Sequence, residues 1–249
     1  MSEPGAGAPA LRQAGLRIAI STATDVTKAA SSMVMTGPGL VGILDTMRKE
    51  RIAFQRLLSF RLNILVKKIE SVAFLAVGLA LSGRAVLTPA LVALMFITNG
   101  LLSMVLTTDR ASPAKAPSRW NMQNVIGVAI AFGLCKLAFS SAALAFGRYR
   151  LGLGPGELRT LAFVTLVFGN QTVLFVLRER RPFWFSRPGG WVLAAAAAGV
   201  AFATTLAGSG ALMAAPSWSL LAGILAAAGA FALVPDQVKH PVTAVLGVA

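Results

Sequence analysis

The chain has 249 residues, of which 56% are hydrophobic and only 13% charged, and its mean hydropathy is +0.72. A soluble domain is about 45–50% apolar and about 25% charged, so this composition excludes an ordinary water-soluble globule and calls for burial in lipid. The net charge of +14 does not call for nucleic acid, because the basic residues sit in short loops between apolar runs, where membrane topology places them.

Residues 1–45 are mixed polar and apolar. The first fifteen, MSEPGAGAPALRQAG, lack the charged-then-apolar order of a signal peptide, so insertion is expected to rely on internal spans. Gly15–Ile20 reads as a short strand, and Thr24-Asp25 as the cap of a helix through Ala30, a side-chain oxygen there accepting first-turn amides. Met33-Val34-Met35 reads as a second strand, closed by a Gly37-Pro38-Gly39 turn. Two short strands in 45 residues cannot bury a core alone, so this piece is expected to be the tail of a larger α/β domain. From Leu40 to Phe60 a basic amphipathic stretch predicts a stalk helix running toward the membrane.

Six segments then approach the roughly 20 apolar residues that span a bilayer as a helix. They are Leu62–Leu81, Leu87–Thr107, Val125–Phe146, Leu161–Leu177, Gly190–Leu206 and Leu220–Val234. The expected fold class is therefore an all-α polytopic membrane protein with the lipid bilayer as its partner. Lys and Arg crowd the segment before the first span, the loop with Arg110, Lys115 and Arg119, and the loop with Arg178, Arg180, Arg181 and Arg187. The intervening connections are poorer in charge, which predicts cytoplasmic termini. The loop carrying Arg148, Arg150 and Arg159 weakens that pattern without reversing it. The single cysteine, Cys135, lies in an apolar run and excludes a disulfide framework or a cysteine metal site.

Several stretches carry a family resemblance. Ala8–Ala14, Gly15–Ala19 and Ala23–Ala30 resemble the end of the phosphorylation domain of P-type ATPases. Met35–Leu40 and Phe54-Gln55-Arg56 resemble the stalk of the proton-exporting, plasma-membrane branch. Thr98-Asn99, Thr108-Asp109-Arg110, Arg119-Trp120-Asn121, Gly169–Thr172, Arg178, Phe183-Trp184 and Arg187-Pro188 are similar to its membrane helices and their exits. The resemblance covers essentially the whole chain and rests on the order and spacing of these pieces. It implies that residues 1–45 are a remnant of a haloacid-dehalogenase-like phosphorylation domain, and that the six spans are helices five to ten of a ten-helix pump in the plasma (inner) membrane.

The departures from the family pattern matter as much. No Asp-Lys-Thr-Gly-Thr string, which carries the family's phosphorylated aspartate, occurs in the chain. Where the family has Gly-Asp-Gly-Val-Asn-Asp for magnesium, the aligned residues are Ser2–Gly7, with Glu3 and Gly7 at the aspartate positions. Magnesium prefers one or two carboxylates, and glycine offers only backbone. ATP and magnesium are implied for a complete pump, but this chain alone is expected to bind no cofactor and to hydrolyse no ATP. The proton-carrying aspartate of the sixth helix corresponds to Gly100, and a proton carrier needs a titratable group.

The residues left to carry chemistry lie in or beside the spans. Glu70 is the only acid inside a predicted span. One reading makes it a replacement cation or proton carrier; another pairs it with Lys67 at i−3 or places it at the interface. Lys67 and Lys68 either snorkel or line an entry. Lys136 either pairs with Glu70, faces a wet cavity or snorkels. Thr98, Asn99 and Ser103 offer neutral oxygens near one helical face, suited to cation coordination or to helix–helix hydrogen bonds. Gly100, the Ala194–Ala198 run and Gly223–Gly229 read as small-residue packing faces, and His240 as a bland tail residue. Two functions are open: the transport half of a cation (proton) pump, truncated or working with a separately encoded N-terminal half, or a non-catalytic derivative with a binding or regulatory role or none. A channel or secondary transporter has little support without an internal repeat.

Overall fold

A computed structural model describes residues 17–35, 41–107, 109, 122–178, 187–210 and 212–246, without the side chains of 41, 43 and 240–246. The Gly37-Pro38-Gly39 turn, Glu3, Gly7, Arg119-Trp120-Asn121, Phe183-Trp184 and the side chain of His240 lie outside these. The chain divides into two compact units, with the boundary at Phe54 and Gln55.

In the first unit, strands β1 (Ile18–Ala19) and β2 (Met33–Val34) pair in parallel, Ile18 opposite Met33 and Ala19 opposite Val34. Helix α1 (Asp25–Ala30) crosses between them. Parallel strands need such a crossover, so the three short elements form one small βαβ turn. The predicted Thr24 cap takes a different form. Its hydroxyl meets the Thr27 hydroxyl at 3.0 Å and makes no cap bond to a backbone amide; only the Thr24 carbonyl receives the Lys28 amide.

Helix α2 (Val41–Ser82) runs 42 residues without a break, about 63 Å at 1.5 Å per residue. The predicted stalk and first span are therefore parts of a single helix. The second unit continues with α3 (Pro89–Leu106), α4 (Met122–Tyr149), α5 (Pro155–Arg178), α6 (Gly190–Ser209), α7 (Trp218–Phe231) and α8 (Leu233–Leu246). Thr88 caps α3, its hydroxyl accepting from the Leu91 amide ahead of Pro89 at the first helical position.

Five helical stretches among the described residues are long and apolar enough to cross a membrane: α3, α4, α5, α6 and Trp218–Lys239. The first predicted span is not among them, because Lys67, Lys68 and Glu70 stand within twenty residues of α2. The last span starts earlier and ends later than its predicted Leu220–Val234. It is interrupted at Ala232, since Pro235 offers no amide to the Phe231 carbonyl and its ring crowds it.

Helix α5 is the axis of the second unit. It is buried along nearly its whole length and packs against α3, α4, α6 and α7. A helix apolar on all faces belongs at the centre of a bundle, and Phe163, Leu166 and Phe168 supply much of its core. Close packing is localised at glycine. A Cβ on Gly133 would stand 2.9 Å from Ile69 Cγ2 of α2, so α4 and α2 approach only because that Cβ is missing. Among the described residues, a Cβ on Gly100, Gly223 or Gly229 would meet nothing within 4 Å, and the Gly223–Gly229 stretch packs through Ile224 and Ala228 instead of its end glycines. Of the Ala194–Ala198 run, only Ala196 is buried.

Candidate functional site

One face of α2 carries Asn63, Lys67, Glu70 and Phe74, spaced by four, three and four residues, and all four side chains are buried. That spacing keeps them on one helical stripe. The stripe passes two polar clusters inside the second unit.

The first cluster is centred on Glu70 and Lys136, both wholly shielded from solvent. The Lys136 ammonium donates to the Glu70 carboxylate and to Asn170 Oδ1. Ser140, one turn beyond Lys136 on α4, donates to Glu70 Oε1 at 2.7 Å. Gly169 leaves room for the lysine stem, since a Cβ there would lie 3.2 Å from Lys136 Cε. Three helices thus contribute one fixed network: α2 the carboxylate, α4 the ammonium and hydroxyl, α5 the amide. A buried ion costs several kcal/mol to desolvate, and only a direct partner with further hydrogen bonds offsets that. Of the readings open for Lys136, the pair with Glu70 is the one observed; snorkelling and a wet cavity are not. The predicted Lys67–Glu70 pair is replaced, because Lys136 reaches the carboxylate from the neighbouring helix.

The second cluster lies between α2 and α3. Lys67 Nζ donates to Ser103 Oγ at 2.9 Å and to the Asn99 carbonyl at 3.4 Å. Asn63 Nδ2 donates to the same Ser103 oxygen at 3.2 Å, and Ser103 donates back to the Asn99 carbonyl at 2.7 Å. Lys67 therefore bonds only neutral oxygens. Asn63 Oδ1 and Asn99 Oδ1 are buried without a partner. A groove of about 240 Å³ adjoins this cluster, and Lys67, Lys68, Asn99 and Gly100 are among its lining residues. The Lys68 ammonium stands 4.1 Å from the centre of the Phe96 ring.

Thr98 does not join Asn99 and Ser103 as predicted. One residue is a 100° turn on a helix, so Thr98 faces elsewhere: its hydroxyl bonds the Leu94 carbonyl, and its methyl lies beside Gly199 of α6. Gly100, where the resemblance leads one to expect a carboxylate, borders the groove, and a Cβ there would meet nothing within 4 Å among the described residues.

Sequence reasoning did not single out Asn63 or Ser140, and it met Asn170 only within the Gly169–Thr172 resemblance. Nor did it place an acid at the end of the last span, where Asp236 lies buried with Lys239 at 2.9 Å; the span's extension to Lys239 brings this acid inside it. Lys239 also donates to the Val176 carbonyl of α5 at 3.2 Å. Beyond the helix ends, Asp109 joins Arg178 at 3.1 Å and accepts from the Gly189 amide at 2.9 Å. This ion pair ties together the exits of α3 and α5 and the start of α6. Among the described residues, no group of three His, Cys, Asp or Glu side chains is placed to hold a metal ion.

No family model matches the chain. Similar proteins nonetheless share most of its length. A putative cation-transporting ATPase of Methanocaldococcus jannaschii is 28% identical over 233 residues, 93% of this chain. Plasma membrane ATPase 2 of Saccharomyces cerevisiae is 27% identical over 80% of the chain, and the plasma membrane ATPase of Neurospora crassa 25% identical over 76%. The chain spans under a third of the length of these relatives, 29% of the first and 21% of the other two. The homologues of this all-helical membrane protein are P-type cation ATPases.

Proposed function

We propose that the chain provides the ion-pathway helices of a P-type cation pump, with the proton as its cation, and that it does not hydrolyse ATP by itself. The observation that carries this reading is the Glu70–Lys136–Asn170–Ser140 network, a carboxylate held at depth among three helices of a bundle related to cation ATPases. Intramembrane acids are costly and mark pathways or pairs, and here one group serves as both. A transported cation reaching Glu70 must take over an oxygen that Lys136 now occupies. A shift of α4 against α2 that withdraws the ammonium would free the carboxylate, and its return would expel the cation. Lack of an Asp-Lys-Thr-Gly-Thr string in these residues supports the second half of the proposal. ATP and magnesium then act on phosphorylation machinery outside this chain, whether in a longer polypeptide or in a separately encoded half. The Lys and Arg distribution supports cytoplasmic termini in the plasma membrane.

A second reading has an observation of its own. Lys136 already neutralises Glu70, and Gly100 supplies no carboxylate, so the pair also fits a non-transporting membrane protein with a binding or regulatory role. Flux separates the two. In an assembly that pumps, Glu70→Gln abolishes ATP-driven acidification of vesicles on the first reading. Unchanged flux in that variant returns Glu70 to a structural role.

A further inference from the structure

Three arginines, two of them from the loop that weakens the charge pattern, converge in space. Arg84 follows α2, Arg148 closes α4 and Arg159 stands in the first turns of α5, and all three line a single cavity of about 300 Å³. The cavity lies where α2 and α4 end and α3 and α5 begin, at one end of the bundle. Its other lining residues include apolar Leu81, Val86, Leu144 and Leu158. Among the described residues none of the three guanidiniums has an ion-pair or hydrogen-bond partner on its side chain. The nearest acid in sequence, Glu157, turns away to accept the Gly154 amide at 3.1 Å.

The turn is built to hold Arg84 there. Gly83 takes a φ of +69°, a left-handed conformation that favours glycine. Ser82 Oγ lies 2.6 Å from the Gly78 carbonyl and 2.7 Å from the Arg84 carbonyl and shares its one hydrogen between them, which ties the backbone across the bend. Three forked cations without counter-charge, beside an apolar wall at the end of membrane helices, match one ligand chemistry. Guanidinium binds phosphate in a bidentate fork.

We infer that this cavity is a binding site for the phosphate head group of an anionic phospholipid, held by Arg84, Arg148 and Arg159, with its acyl chains on the Leu81–Leu144 side. The site stands apart from the Glu70 network and does not depend on the pump reading.

The test is native mass spectrometry of the full chain released from vesicles holding equal anionic and zwitterionic phospholipid. The wild-type chain should retain the anionic lipid selectively. Arg148→Gln and Arg159→Gln should each weaken that retention about fivefold, as the loss of one net hydrogen bond would. Arg150→Gln removes the same charge from the same loop without lining the cavity and should leave retention unchanged. Equal loss in the Arg150 variant, or full selectivity in an Arg84→Gln, Arg148→Gln, Arg159→Gln triple variant, overturns the site. Should the triple variant not fold, the two single variants carry the test, each checked by its unfolding midpoint. Displacement of the lipid by low-millimolar inorganic phosphate, with no selectivity between lipids, overturns a phospholipid as the ligand.

Discussion

Replacing Lys136 with methionine removes a charge of known surroundings while keeping most of the side-chain volume. Lys136 is wholly buried and gives its ammonium to Glu70 and to Asn170 Oδ1. In Lys136→Met the carboxylate keeps only the Ser140 hydroxyl at 2.7 Å, and Asn170, whose Nδ2 is already unpartnered, loses its other bond. Breaking one side of a buried ion pair costs about 3–5 kcal/mol, and the single variant should lose stability in that range. Adding Glu70→Gln removes the stranded charge, so the double variant should be more stable than Lys136→Met alone, with a coupling of about 1–3 kcal/mol. Reversible unfolding in mixed detergent micelles, followed by tryptophan fluorescence, measures all four corners of the cycle. A loss below about 1 kcal/mol for Lys136→Met, or strict additivity in the double variant, would refute the network as the organising contact of these three helices.

Other expectations follow from the same packing. Gly133→Ala places a Cβ 2.9 Å from Ile69 and should destabilise by about 1–3 kcal/mol through overpacking, read by the same unfolding assay. Gly100→Ala, by contrast, meets open space inside a helix and should stabilise by about 0.5–1 kcal/mol; a loss of stability would restore Gly100 as a packing residue. Asp109→Ala removes the carboxylate from Arg178 and from the Gly189 amide. It should cost about 3 kcal/mol and speed hydrogen exchange at the Gly189 amide.

The membrane class was legible from composition because 56% apolar content has no soluble home, and helix positions followed from apolar run length. Three features escaped for physical reasons. The unbroken α2 carries its charges inward, so the stripe Asn63–Lys67–Glu70 lowers its hydropathy although these groups are buried. Charge on a helix says nothing about which neighbour meets it; the local i−3 pairing of Glu70 was the nearer option in sequence, yet Lys136 lies 66 residues on and wins in space. Asn170 and Ser140 matter only through that encounter, though Thr160, Thr165, Asn170, Gln171 and Thr172 on the apolar α5 already marked a helix that buries polar groups. The Ala232 break was legible in principle, because Pro235 cannot donate to Phe231. Thr98, adjacent to Asn99, shows how one residue of helical rotation separates a ligand candidate from a packing residue.

The central claim is that this chain carries the ions of a pump and not its engine. ATP-driven acidification tests it most directly in vesicles holding the purified chain, alone and assembled with a polypeptide that carries Asp-Lys-Thr-Gly-Thr. The account predicts no acidification alone, and acidification in the assembly that Glu70→Gln abolishes. ATP-driven acidification by the purified chain by itself would contradict it.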